Sequence, residues 1–157
     1  MSYVGETGEA SAILRPKGVD TLQRSETTSV SFIGPGSVTD GDFGLFRWNM
    51  TAGSGGAGTH FHRTFSESFY VLNGAVTLFD GTEWVKVGEG DFLYVPPGGV
   101  HGFRNDSDAD ASMLILFSPG IPREKYFQEL AEISHSGRTL TDEEWADLFA
   151  RHDQVNL

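Results

Sequence analysis

Four side chains in the middle of the sequence have the types and the spacing of a metal-binding set. His60 and His62 lie two residues apart in an extended segment, so their imidazoles project from the same face of one predicted strand. Glu67 follows across a short turn and opens the next strand, and His101 begins a later strand after a Pro-Gly turn. In an antiparallel barrel these positions can converge on one point. The sequence therefore predicts a site with three imidazoles and one carboxylate.

The donor atoms of this set indicate which metals could bind. Imidazole nitrogens with a carboxylate oxygen suit one divalent transition metal per chain, and ligand softness allows manganese, iron, cobalt, nickel, copper or zinc. The chain contains no cysteine, which excludes a disulfide framework, a thiolate nucleophile and an iron-sulfur ligand. The absence of sulfur ligands also disfavours a purely structural zinc site.

The side chains expected around the candidate ligands are mostly apolar. The inward-facing set consists of Phe61 or its neighbours, Phe69, Val71, Phe103 and one face of the strand over 43–50. On that strand one face carries Arg47 and Asn49 and the other is apolar, and the sequence leaves open which face lines the cavity. We find no cluster of cations that would bind a sugar phosphate or a dicarboxylate. The expected substrate is therefore flat, apolar and aromatic, with an enol, phenol or keto oxygen able to coordinate the metal.

Short extended segments separated by turn residues must position these side chains. The predicted strands cover 29–33, 43–50, 59–62, 67–72, 75–79, 83–87, 91–95, 100–105 and 112–117. Their regular spacing, without intervening helical periodicity, predicts an antiparallel sandwich or barrel. Asn73-Gly74 is the dipeptide that best suits a type I′ turn, so strands 67–72 and 75–79 are expected to pair as a hairpin.

The periodicity becomes helical after residue 120. Pro122 can open one helix, and Thr141 with Glu144 forms a capping box that opens another. Apolar residues recur at helical spacing in both, at Tyr126, Phe127, Leu130 and Ile133 and then at Trp145, Leu148 and Phe149. The remaining histidines, His135 and His152, lie in this part of the chain, and we interpret both as exposed to solvent. The predicted domains are a flexible tail over 1–12, a barrel over 13–120 and C-terminal helices over 121–157 that pack on the barrel or a dimer partner.

Two stretches of the sequence match the motifs of a known family, the cupins. The first motif, G-x5-H-x-H-x3-4-E-x6-G, is met by His60, His62, Glu67 and Gly74, with Ser54 in the place of the leading glycine. The second motif, G-x5-P-x-G-x2-H-x3-N, is met by Gly90, Pro96, Gly98, His101 and Asn105. The sequence therefore resembles a cupin over residues 54 to 105, and the flanking strands extend the likeness to most of the chain.

The resemblance implies an all-β fold, a double-stranded β-helix (jelly-roll) cupin barrel followed by one or two C-terminal helices. It implies that His60, His62, Glu67 and His101 bind the metal and that the protein forms a homodimer. Cupins include oxygenases, isomerases, cyclases and binding domains, so the family indicates the fold better than the reaction.

Three functions remain open on this basis. The leading hypothesis is a metal-dependent dioxygenase similar to quercetinase-like cupins, in which the substrate oxygen and dioxygen bind the metal and Glu67 is a ligand or the general base. The second is a non-redox cyclase or isomerase resembling the cupin cyclases of aromatic polyketides, with the metal as a Lewis acid only. The third is a ligand-binding cupin without turnover.

Charge and hydropathy exclude other classes of function. The 22 Asp and Glu residues against 11 Lys and Arg give a formal net charge of -11, which repels phosphate backbones and anionic lipid. We therefore expect no nucleic-acid partner and no membrane partner. No apolar run approaches the roughly 18 residues that span a bilayer, and the N-terminus lacks the pattern of a signal peptide, so the expected location is the cytoplasm.

Overall fold

The computed structural model describes residues 2–18 and 20–157. Met1, at the start of the predicted tail, and Val19, in the predicted barrel segment, lie outside the described residues. Residues 2–18 contain no helix or strand and are exposed apart from the half-buried Arg15. Regular structure in the described chain begins at Thr21.

Eleven strands and two helices follow in this described part of the chain. The strands are β1 (Thr21–Gln23), β2 (Thr28–Gly34), β3 (Gly44–Met50), β4 (Ala57–Phe61), β5 (Ser66–Asn73), β6 (Ala75–Phe79), β7 (Trp84–Gly88), β8 (Phe92–Val95), β9 (His101–Arg104), β10 (Ala111–Ser118) and β11 (Val155–Asn156). The helices are α1 (Arg123–Ser136) and α2 (Asp142–Arg151). The sequence predicted all of these elements except the short strands β1 and β11.

The strands form two antiparallel sheets that enclose the core. The six-stranded sheet has the order β1-β2-β3-β10-β5-β8, and the five-stranded sheet has the order β11-β4-β9-β6-β7. From β3 to β10 the chain crosses repeatedly from one sheet to the other, as a jelly roll requires. The predicted all-β jelly-roll barrel with C-terminal helices is confirmed.

The hairpin predicted at Asn73-Gly74 is wrong. Strand β5 pairs with β10 and β8 in one sheet, whereas β6 pairs with β7 and β9 in the other. Gly74 has a φ of 74°, and a Cβ at this position would lie 2.5 Å from the carbonyl oxygen of Asp110. The dipeptide therefore makes a sharp corner between the sheets. A corner and a type I′ turn both need a residue with positive φ, so the local signal does not separate them.

The core between the sheets is centred on Phe46, which is fully buried. Its ring meets those of Phe32, Phe117 and Phe127 edge-on, with centroids 5.4, 5.7 and 5.2 Å apart. Such aromatic pairs each add about 0.5–1.5 kcal/mol beyond the burial of their area. Since Phe46 points inward and Arg47 is exposed, the apolar face of strand 43–50 is the one that faces the cavity.

The helices pack on the barrel through their apolar faces. On α1 the ring of Phe127 lies 5.3 Å from that of Trp48, centroid to centroid. Helix α2 begins with the predicted capping box, in which the Glu144 N–H donates to Thr141 Oγ1 and the Thr141 N–H donates to Glu144 Oε2. Among the described residues, neither helix has the length and apolar character needed to cross a bilayer.

Aromatic side chains lie exposed on the outward face of the six-stranded sheet. Tyr70, Phe92 and Tyr94 are 43%, 64% and 57% exposed, and Tyr70 lies directly opposite Phe92 where β5 pairs with β8. Leu116, on the adjacent strand β10, is also exposed on this face and pairs with Ser68. Homodimer formation stays a prediction, and this face is the place to test it.

Candidate metal centre and its cavity

The four candidate ligands converge on one point inside the barrel. His60, His62, Glu67 and His101 are all buried, and one ligand atom from each lies within 4.8 Å of the others. His60 lies opposite His101 where β4 pairs with β9, and the turn after His62 brings the chain across to Glu67 on β5. The convergence predicted from the sequence is therefore present, and the role of these residues as metal ligands stays a prediction.

Backbone carbonyls fix the orientation of all three imidazoles. The Nδ1 atoms of His60, His62 and His101 donate to the carbonyl oxygens of Gly58, Asp153 and Gly99, at 2.7, 2.7 and 2.9 Å. A carbonyl oxygen can only accept, so each Nδ1 carries the proton in these contacts. That tautomer leaves Nε2 as the atom available to a metal, which is the usual arrangement around protein-bound metal ions.

Glu67 completes the set from the opposite sheet. Its Oε2 lies 3.0 Å from the Nε2 of His62 and 2.9 Å from the Nε2 of His101. Protons on these nitrogens would hold the imidazoles against the carboxylate, and a divalent metal would replace the protons. The donor set, with nitrogen atoms and a carboxylate in mutual contact and already oriented, therefore fits a divalent transition metal.

Burial and mutual contact set the charges of the four residues in this cluster. Burial raises the pKa of Glu67, but hydrogen bonds from His101 and His62 outweigh burial and hold its pKa well below the usual range. Burial lowers the pKa of His60 to about 4, so this imidazole is neutral near pH 7. Burial also lowers the pKa of His101, but the contact with Glu67 is stronger and leaves that pKa raised. The cluster thus contains an ionised carboxylate and a neutral imidazole.

Asp153, which the sequence patterns did not single out, positions His62. Asp153 follows α2 with a φ of 50°, and besides its carbonyl contact to His62 its carboxylate accepts from the Arg63 and Thr64 N–H groups. The Thr64 hydroxyl also donates to it, at 2.7 Å. Asp153 thus holds the turn that carries His62. Nothing in the spacing of the motif signals this residue, because it lies 91 positions away in sequence.

A cavity of about 360 Å³ opens from the cluster toward the helices. His60 and Glu67 line it, and we call these two residues together with His62 and His101 the metal end. Aromatic side chains from both the barrel and the helices line it: Trp48, Phe103, Phe117, Phe127, Trp145 and Phe149. Of the side chains predicted to face inward, Phe103 lines the cavity, Phe69 and Val71 are buried in the core, and Phe61 is half-buried beside Arg63.

The cavity wall also carries positive charge, close to the metal end: the guanidinium carbon of Arg123 lies 5.6 Å from the ring centroid of Phe65, whose ring stacks on that of His62 at 4.2 Å. Arg24 and Arg123 both line the cavity, beside Tyr126 and Gln154, and we call these residues the helical end. The expectation that the pocket lacks clustered cations is therefore wrong. Arg24 precedes β2 and Arg123 opens α1, so only the packing of α1 over the barrel brings the two guanidinium groups to one cavity.

The two histidines outside the motifs differ in the structure. His135 is exposed, as predicted. The side chain of His152 is only 11% exposed, its Nε2 lies 2.9 Å from Glu129 Oε1, and its ring lies 5.0 Å from that of Tyr126, centroid to centroid. The prediction of an exposed His152 is wrong because the residue caps α2 and turns toward α1.

Comparison with known proteins places this architecture in a family. Residues 46–117 match the cupin domain family. A stretch of 73 residues, 46% of this chain, is 34% identical to a quercetin 2,3-dioxygenase of Bacillus subtilis and covers 21% of that protein. The chain spans half or less of the length of the curated relatives that it matches.

Solved structures share the fold at low identity. A predicted oxalate decarboxylase from Thermotoga maritima has a TM-score of 0.61 at 18% identity, over 69% of this chain and 99% of that one. An RmlC-like cupin from Shewanella frigidimarina has a TM-score of 0.58 at 18% identity, over 70% of this chain and 92% of that one. At such identity the likeness concerns the fold alone. Residues 46–117 therefore match a cupin domain, and the chain as a whole has the all-β jelly-roll fold of cupins.

Proposed function

We propose that the protein is a metal-dependent dioxygenase acting on an aromatic substrate that carries an enol, phenol or keto oxygen. The observation that carries the proposal is the position of the buried His60, His62, Glu67 and His101 cluster beside a cavity with aromatic walls. The 34% identity to a quercetin 2,3-dioxygenase over 73 residues and the match of residues 46–117, which include the cluster, to the cupin domain family support it.

The four clustered residues would hold the metal through the three Nε2 atoms and a carboxylate oxygen of Glu67. A bound iron, nickel, manganese, copper or cobalt ion would supply Lewis acidity and the redox chemistry for reaction of the substrate with dioxygen. Glu67 lines the cavity, so it is also the side chain placed to accept the substrate proton. Both His62 and His101 contact its Oε2, so its Oε1 is the oxygen that could take the proton while these contacts remain.

The cavity walls would orient the substrate and exclude water. A volume of about 360 Å³ lies within the range of small-molecule sites and suits a compact aromatic molecule. The rings of Trp48 and Phe103 meet edge-on at 5.4 Å, and the stacked pair Trp145 and Phe149 forms part of the wall from α2. A flat ring held among these side chains would have its oxygen directed to the metal end.

Oxygen uptake tests the proposal directly. The protein would be freed of metal, reloaded without air with one ion at a time, and mixed with a flavonol, a catechol or a β-diketone before air is admitted. We expect oxygen consumption with a redox-active ion and none in a His60→Ala variant loaded in the same way. A His135→Ala variant, changed at an exposed histidine, serves as the matched control.

The alternatives predict different results in the same experiment. Full turnover with zinc and without air would overturn the dioxygenase in favour of the non-redox cyclase or isomerase. A metal-replete protein that consumes no oxygen, converts no substrate, and binds a ligand as well in the His60→Ala and Glu67→Ala variants would indicate a binding protein without turnover.

A further inference from the structure

The guanidinium of Arg123 is buried without an acidic partner. The residue is 3% exposed, and within residues 2–18 and 20–157 no carboxylate lies within ion-pair distance of it. Its Nη1 donates to the carbonyl oxygen of His152 at 3.2 Å, and its Nη2 donates to Gln154 Oε1 at 3.4 Å. Its Nε is buried and has no hydrogen-bond partner in the described chain. A buried cation in this state is costly unless something compensates for it.

Aromatic rings supply part of that compensation. The guanidinium carbon lies 4.1 Å from the ring centroid of Tyr126, and 5.2 and 5.6 Å from those of Phe117 and Phe127. Rings attract a cation through their faces but accept no in-plane hydrogen bond. They therefore leave the Nε donor of Arg123 unsatisfied.

The nearby carboxylates are already engaged. Glu67 lies between the Nε2 atoms of His62 and His101, and Asp153 accepts from Arg63 and Thr64. Neither is free to pair with Arg123. Burial lowers the pKa of Arg123, and the charges of Glu67 and Asp153 oppose this only from beyond ion-pair distance, so within the described chain the Nε donor stays without an acceptor.

Two further groups on the cavity wall also favour a ligand that accepts hydrogen bonds. Arg24 is half-buried there, and its guanidinium has no partner among the described residues. The Nε1 of Trp48, also on this wall, is a buried N–H donor without a partner in the described chain. The two buried cavity atoms without a partner in the described chain, Arg123 Nε and Trp48 Nε1, are therefore both donors, and each needs an oxygen acceptor from a ligand.

We propose that the helical end binds a carboxylate of the substrate, so that the substrate class is an aromatic carboxylic acid. The planar guanidinium fork of Arg123 would donate to the carboxylate, with Arg24 as the second cation and the aromatic body of the substrate among the rings of the cavity wall. The contact of another oxygen of the substrate with the metal rests on the proposed function. The carboxylate site itself rests on Arg123, Arg24 and Trp48 alone.

A matched pair of probes tests this. The probes are 2-hydroxybenzoate and 2-hydroxybenzamide, which differ in the charge of one group. Binding is followed by the fluorescence of Trp48 and Trp145, which line the cavity, in metal-free protein without air. We expect the acid to bind at least about tenfold more tightly than the amide. Equal affinity for the two probes in the parent protein would overturn the proposal.

Three variants locate the charge that causes the preference. We expect the Arg123→Met variant to bind the acid and the amide with about equal affinity. In the Arg24→Gln variant the preference for the acid should be several-fold smaller than in the parent. Arg24 is half-buried, so Arg24→Gln keeps the test valid if the Arg123 variant does not fold. Arg47→Gln, which changes an exposed arginine on the outward face of β3, should keep the full preference. A preference that survives both cavity substitutions contradicts the assignment.

This test separates the carboxylate site from the proposed reaction. An acid preference that depends on Arg123, in a protein that consumes no oxygen with the acid, would refute the dioxygenase and leave the carboxylate site standing. Oxygen uptake with neutral flavonols, together with equal affinity for the acid and the amide, would refute the carboxylate site and leave the dioxygenase standing.

Discussion

At the metal end of the cavity each imidazole is fixed through its Nδ1, whereas at the helical end the buried guanidinium of Arg123 has a donor with no partner among the described residues. Two of the three imidazole contacts are local, from His60 to Gly58 and from His101 to Gly99, two residues back in each case. The groups of the helical end come instead from the turn between β1 and β2, from α1 and from the residues after α2. The fold thus orients the candidate metal ligands by itself, whereas the proposed carboxylate site needs a ligand to complete it.

The largest expected effect is the loss of metal from a variant at the metal end. Replacing His101 by Ala removes a buried ligand from a set already in mutual contact. Changing a group that merely supports a ligand costs roughly 10–100-fold in affinity, so losing a ligand should reduce bound metal to below about a tenth of the parent. Elemental analysis after dialysis against a chelator measures this. A His101→Ala protein that retains one metal per chain would show that the cluster is not the metal site.

The metal-free protein should lose stability on acidification because of His60. Its pKa is lowered by burial from 6.5 to about 4, so between these values the unfolded chain binds a proton that the folded chain does not. Stability therefore falls as the pH drops through this window, by about 3 kcal/mol for this residue. His101, whose pKa is raised, contributes in the opposite sense, and its contribution is lost as the pH rises. Glu67, whose pKa is lowered, adds a further loss below its usual value of 4.5.

A His60→Gln variant isolates the contribution of His60 to the pH dependence of the free energy of unfolding. Urea unfolding of parent and variant at pH 4.5, 5.5, 6.5 and 7.5 should show a shallower pH dependence in the variant. Identical slopes in the two proteins would contradict the burial argument. The substitution changes no residue of the helical end, so the difference between parent and variant concerns the metal end.

A smaller effect is expected at Asp153, which supports the metal end from the helical side of the molecule. Asp153→Ala removes the acceptor for Arg63 and Thr64 and places alanine at a φ of 50°, so metal affinity should fall about tenfold. Asp153→Asn keeps an acceptor and tolerates this φ, so most of the affinity should remain. Asp40→Ala is the matched control, since Asp40 has a φ of 53° on the exposed surface. Chelator competition measures all three, and equal affinities for the Asn and Ala variants would argue against positioning by the side chain.

The smallest effect on the cavity is expected from the outward face of the six-stranded sheet. If the protein is a homodimer through this face, Phe92→Glu should lower the molecular mass in sedimentation measurements to that of one chain, since it places a charge on an exposed aromatic cluster. Metal content and the preference for an acid probe should stay unchanged, because these side chains do not line the cavity. A monomeric parent protein would remove the homodimer from consideration.

The metal end could be predicted from the sequence, and the helical end could not. Strand alternation and the short turn before Glu67 are enough to bring His60, His62 and Glu67 together, and the register of β4 on β9 supplies His101. Arg123 has no such signal. It begins a helix whose apolar stripe predicts burial of Tyr126 and Phe127 but does not specify the surface on which they pack.

Long-range packing also explains the other errors. The corner at Gly74 and a hairpin need the same backbone conformation, and only the competing pairings of β5 with β10 and of β6 with β9 decide between them. The burial of His152 depends on α1 lying beside it, which helical periodicity within α2 does not reveal. In both cases the deciding contact lies outside the window in which a sequence pattern can be recognised.

The contact between His62 and the carbonyl of Asp153 implies an order of events during synthesis. All four candidate ligands have been translated once His101 is made, yet the acceptor that orients His62 follows about fifty residues later. At roughly 5–20 residues per second, a nascent chain would hold an incomplete cluster for several seconds. A metal ion bound in that interval would contact a cluster in which His62 is not yet oriented. Selectivity among the available ions should therefore be highest after Asp153 has packed against His62.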